Sequence, residues 1–116
     1  MEVAVSVVTN VMLHVGIVEE RGLEEINQEF EEGTGLRCIT NWEHNDWGGT
    51  KVPECTVYAG AMNYLDVQGF MERIAAMPWT CPEEVQLFIA QQDDSRFAVY
   101  LLESGSWKQL CDGLAV

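Results

Sequence analysis

The sequence predicts one α+β domain, residues 1–116, in which two helices pack on one face of an antiparallel sheet. Three observations predict it. Stretches of two-residue alternation near both ends of the chain read as strands. Two stretches of helical period lie between them. The 116 residues, 47% hydrophobic, suffice for one core and are too few for two.

The chain opens on Glu2-Val-Ala-Val-Ser-Val-Val-Thr9, where Val3, Val5 and Val7 alternate with Ala4, Ser6 and Val8. This is strand period with strand-favouring β-branched residues. Val11 to Val15 follows, either continuing one long strand or returning from a hairpin at Thr9-Asn10, and the pattern fits both. From Glu19 to Glu32 the period changes. Leu23, Ile26 and Phe30 form a narrow apolar stripe at i, i+3 and i+7, and Gly33 supplies the stop. Leu36 to Trp42 reads as a strand, followed by a polar loop from Glu43 to Pro53. Glu54 to Met62 is the next strand. Its Cys55, Val57, Ala59 and Ala61 are expected on one face, toward the helices, with Thr56, Tyr58 and Met62 on the other.

The second helix is the clearest element, with Val67, Phe70, Met71, Ile74 and Ala75 at i, i+3, i+4, i+7 and i+8. Asn63 is its expected N-cap, Asp66 favours the positive terminus, and Pro78 ends it. Thr80-Cys-Pro-Glu83 has capping-box spacing and reads as a single helical turn. Val85 to Gln91 and Phe97 to Glu103 form an antiparallel hairpin about Gln92-Asp-Asp-Ser-Arg96. From Ser104 onward the pattern weakens, with Trp107 and Leu110 expected to dock the tail. The order strand, helix, strand, strand, helix, strand, with one further strand from the closing hairpin, is the βαββαβ pattern of the ferredoxin-like superfold.

Charge narrows the function classes. Nineteen Asp and Glu face six Lys and Arg, a formal net charge of −13. Such a surface repels phosphate backbones and anionic membranes over a Debye length of roughly 8–10 Å. Direct nucleic-acid and membrane binding are therefore not expected. A basic protein partner fits, and so does plain solubility. Glu2 stands where a secretory leader carries basic residues, and polar Ser6, Thr9, Asn10 and His14 interrupt the first apolar run. A cytoplasmic location is expected on these grounds. Cys38, Cys55, Cys81 and Cys111 lack any disulfide-framework spacing and read as free thiols, mostly buried.

Motifs that carry chemistry are weak. Cys38, His44 and Cys55 have unsuitable offsets for zinc, so no metal or cofactor is expected. Gly-x-Ser-x-Gly is absent. Cys81, beside Pro82 at a helical turn, is the best thiol nucleophile on offer, and a packed cysteine is the simpler account. Gly48-Gly49-Thr50-Lys51 lacks phosphate-loop spacing. No catalytic residue is assigned.

Three surfaces remain. The first helix carries Glu19, Glu20, Glu24, Glu25, Glu29, Glu31 and Glu32 against a lone Arg21. It is the expected face for a basic partner, in the manner of small inhibitors, immunity proteins and nucleic-acid mimics. The loop with Trp42, His44, Asp46, Trp47 and Lys51 concentrates two tryptophans, a residue enriched in binding hot spots. It is the candidate site under a rival reading, a small dimeric α+β-barrel enzyme or ligand binder. The open face of the sheet, with Phe88, Gln86 and Ala90 and an expected Tyr58 and Met62, is where a homodimer is expected.

Overall fold

The computed structural model describes residues 7–16, 31–40, 48–51 and 54–111. They form strands β1 (Val8–Val15), β2 (Arg37–Cys38), β3 (Thr56–Asn63), β4 (Gln86–Gln91), β5 (Ala98–Glu103) and β6 (Ser106–Cys111), with helix α1 (Val67–Ala75). Residues 31–34 are the end of a further helix, and Pro82–Glu84 make a single 3₁₀ turn. The fold is a sheet-rich α+β arrangement whose six strands run in the order β2-β3-β1-β4-β5-β6, every neighbour antiparallel. That order is not a simple βαββαβ sheet, because β5 and β6 extend it past β4.

β1 lies inside this sheet and organises it. It passes through Thr9-Asn10 without a turn, which settles the ambiguity there as one strand. Residues 1–6, on which the rest of the expected first strand falls, lie outside the described residues. Along β1 every second residue is buried: Thr9, Val11, Leu13 and Val15. Leu13 faces Tyr58 on one side and Leu87 on the other, and Val11 faces Gly60 and Ile89. Directly opposed residues share a face, so this register decides which half of each neighbouring strand enters the core.

For β3 the register overturns the expected phase. Thr56 and Tyr58 are the buried residues, while Val57, Ala59 and Ala61 lie on the outer face. Both alternating sets of β3 are apolar, so period alone does not choose between them. The larger ring goes inward, where Tyr58 meets Leu13, and Met62 packs against the same core. For β4 the expected phase holds with Leu87 and Ile89 inside and Gln86 and Phe88 outside, while Ala90, also expected on the open face, is buried.

α1 lays Phe70 and Ile74 into this core, each 1% exposed. Its cap differs from expectation. Asn63 belongs to β3, paired with Val8, and the ladder runs on as the Tyr64 amide donates to the Val7 carbonyl at 2.9 Å. Tyr64 then turns the chain at φ 54°, and Asp66 becomes the N-cap, accepting from the Gly69 amide at 3.2 Å. A Cβ at residue 69 would collide with the Asp66 carboxylate, so a glycine suits that first turn. Ala76 caps the other end, two residues before Pro78.

Past α1, Cys81 rather than Thr80 is the cap residue of the 3₁₀ turn, and its side chain makes no capping bond. The hairpin of β4 and β5 forms as expected. The tail does not trail off. Ser104 and Gly105 both take positive φ, the two-residue geometry that returns a hairpin, and β6 pairs with β5. Trp107 docks as expected, its indole donating to the Met71 carbonyl at 2.8 Å. Leu110 does not dock and is 52% exposed. Residues 112–116 lie outside the described residues.

The inward placement of Phe70 and outward placement of Val57 give a paired prediction. Phe70→Ala is expected to cost about 3–5 kcal/mol in urea unfolding. Val57→Ala is expected to cost about 1 kcal/mol or less. Equal losses would place Val57 in the core and reverse the face assignment of β3.

Candidate functional site

Of the seven glutamates expected to form the acidic face, Glu19, Glu20, Glu24, Glu25 and Glu29 lie outside the described residues. Glu31 and Glu32 lie on the last helical turn, Glu31 half-buried and Glu32 exposed. Glu31 is engaged within the fold. Its carboxylate accepts from the Cys38 amide at 3.0 Å, and its backbone carbonyl accepts from the Gly35 amide at 2.8 Å. It ties the end of the helix to β2, and Gly35 makes the turn between them at φ 79°. Glu32 is the described member of the set displayed at the surface.

The aromatic loop is held at its stem. The Ile39 amide donates to the Val57 carbonyl at 2.8 Å, and the Val57 amide donates to Thr40 Oγ1 at 2.9 Å. Thr40 thus takes over with its side chain where the backbone pairing of β2 stops. That substitution is why β2 is two residues long rather than the seven expected from Leu36 to Trp42. Of the loop's candidate residues, Lys51 is exposed, while Trp42, His44, Asp46 and Trp47 lie outside the described residues.

Two tryptophans hold the helical layer in place, and one of them, Trp79, carries no role in the sequence pattern. Trp79 donates from its indole to the Ile74 carbonyl at 2.7 Å, as Trp107 does to Met71. Both bonds reach carbonyls of α1. The signal for Trp79 is its position just after the helix-ending Pro78. A second joint ties the end of β1 to the 3₁₀ turn. His14 Nδ1 donates to the Glu84 carbonyl at 2.9 Å, and the Glu84 carboxylate sits over Gly16, where a Cβ would strike it.

The distribution of charge is the clearest feature of the surface. The described carboxylates lie mostly at the ends of elements and between them: Glu31 and Glu32 on the helical turn before β2, Glu54 ahead of β3, Asp66 and Glu72 at the cap and on α1, Glu83 and Glu84 on the 3₁₀ turn, Asp93 and Asp94 between β4 and β5, and Glu103 at the end of β5. Asp94 also shapes its turn, accepting from the Gln91 amide at 2.9 Å. Lys108 pairs with Glu103 at 3.9 Å, both well exposed, which contributes little to stability. Among the described residues no group of three or more His, Cys, Asp or Glu is placed to hold a metal ion. No helix among them is long and apolar enough to cross a membrane.

No family model, curated protein or solved structure matches the chain.

Cys38, Cys55 and Cys81 are half-buried rather than fully packed. Cys38 lies on a sheet edge with its sulfur 3.8 Å from Thr40 Oγ1, and Cys81 caps a surface turn. Neither is joined in a disulfide. The melting temperature is therefore expected to be unchanged by excess reductant and by a strong chelator. A fall of several degrees in either would assign the thiols a structural bond.

Proposed function

We propose that the chain is a non-enzymatic binding protein that presents a glutamate-rich face, centred on Glu19 to Glu32, to a basic protein partner. Charge arithmetic carries this reading. Six cations can pair with at most six of the nineteen carboxylates, so thirteen negative charges stay unmatched however the side chains arrange themselves. Such a surplus steers cationic partners and speeds their association. Glu32, on the helical turn of residues 31–34, is exposed, which supports display of charge at that end of the stretch.

We read the scaffold as a ferredoxin-like sheet extended by a hairpin. What supports this is the antiparallel order β2-β3-β1-β4, with β5 and β6 added beyond β4, and α1 connecting β3 to β4. Such a layer gives a rigid base from which helices present side chains on one side.

The test is charge removal without a change of shape. Glu24, Glu25 and Glu29 are replaced together by Gln, and a basic protein captured on the wild-type chain serves as the analyte. Its association rate is then measured against ionic strength for both proteins. The variant is expected to associate several-fold more slowly at low salt and with a flatter salt dependence, at equal or higher stability. Identical slopes would remove the helix from the interface.

A further inference from the structure

We propose that the open face of the sheet is the interface of a homodimer, the two sheets packing face to face around a twofold axis. The face lies opposite α1 and is built from the outward half of each strand. In the isolated chain its apolar residues Met12, Val57, Ala59, Phe88, Val99 and Leu101 stay half-buried. The adjacent inward residues Val11, Leu13 and Leu87 are 2%, 0% and 0% exposed. Met12 stands between Ala59 and Phe88, and Phe88 beside Val99, so the apolar row runs unbroken across four strands. Phe97 meets Phe88 edge-on at 6.5 Å and widens it.

Charge identifies the occupant. On β1 and β4 the outward positions are the even-numbered residues, and on β3 the odd-numbered ones. None of these holds Asp, Glu, Lys or Arg, in a chain with nineteen carboxylates. A basic partner finds nothing to pair with there. A second copy, repelled by the acidic surfaces elsewhere, finds there the one broad described area free of like charge. The outward charges lie toward the edges of the sheet: Arg37 on β2, and Lys108 paired with Glu103 on β6 and β5.

Size agrees. β3, β1, β4, β5 and β6 are six to eight residues long. At ~4.8 Å between strands and ~3.4 Å per residue they cover roughly 500 Å² in plan. Side-chain relief raises the accessible area toward the ~800 Å² per partner of a stable interface. Aligned sheets pack about 10 Å apart, a gap that facing Met and Phe side chains fill.

The experiment is sedimentation velocity on the full chain. The wild type is expected to sediment as a dimer, and Phe88→Glu as a folded monomer with unchanged far-UV circular dichroism. Mixing Phe88→Glu with Phe88→Lys is expected to restore the dimer. Should Phe88→Glu unfold, the milder Leu101→Gln is expected to weaken dimerisation about tenfold, the effect of ~1.4 kcal/mol. Raising salt from ~0.05 to ~0.5 M is expected to tighten the dimer by screening repulsion between like-charged copies. Binding of a basic partner weakens under the same change, so this proposal and the one above fail separately. A wild type that is monomeric at ~100 μM overturns the interface, whatever else covers the face. So does a dimer that neither Phe88→Glu nor Leu101→Gln weakens.

Discussion

The structure depends on the double pairing of β1. From Thr9 to His14 the strand is hydrogen-bonded to β3 on one side and to β4 on the other. A strand so placed has no backbone group left for water, and its side chains are forced into two sets. One set is buried almost completely, and the other faces outward among neighbours with the same orientation. Every later choice is made against that division. The phase of β3, the phase of β4 and the side on which α1 lies all depend on where Val11 and Leu13 point.

A second layer of constraint comes from the ends of elements. Asp66 closes the start of α1, and Trp79 and Trp107 donate to carbonyls toward its other end, so the helix is bonded both to the segment after Pro78 and to β6. Glu31 joins the preceding helix to β2, and His14 joins β1 to the 3₁₀ turn. Each joint adds a side-chain hydrogen bond to a backbone group, at a net worth of about 1 kcal/mol apiece. Together they fix the described helical segments against the sheet. The outward positions of β1, β3 and β4 hold no charged residue, which leaves the centre of the sheet's outer face neutral.

Much of this was legible in the residues. The stripe from Val67 to Ala75 located α1, and the two apolar runs around Gln92 to Arg96 located the β4–β5 hairpin, because period and turn chemistry agree there. The choices that escaped are those that local pattern leaves degenerate. β3 is apolar on both faces, so its phase was decided by register with β1. Asn63 and Asp66 are both good caps, and the choice fell to the strand pairing that held Asn63. Ser104-Gly105 carries a two-residue turn signal, but the mixed strand after it, Ser106 to Cys111, shows no clean alternation, and tertiary contact through Trp107 holds it. Thr40 cut β2 short through a side-chain hydrogen bond that no periodicity reveals. For the candidate sites, composition pointed to the acidic stretch and the aromatic loop, whose central residues lie outside the described ones, while the neutral outer face of the sheet became visible only once the strands were paired.

Amide hydrogen exchange resolved by residue shows whether β1 is an interior strand. In an edge strand alternate amides point to solvent and exchange quickly, whereas an interior strand donates from every residue to one neighbour or the other. An unbroken run of slow amides from Thr9 to His14 is the predicted result. Alternating slow and fast amides along that run, or a fast break at Thr9-Asn10, would contradict it and with it the division of the molecule into two faces.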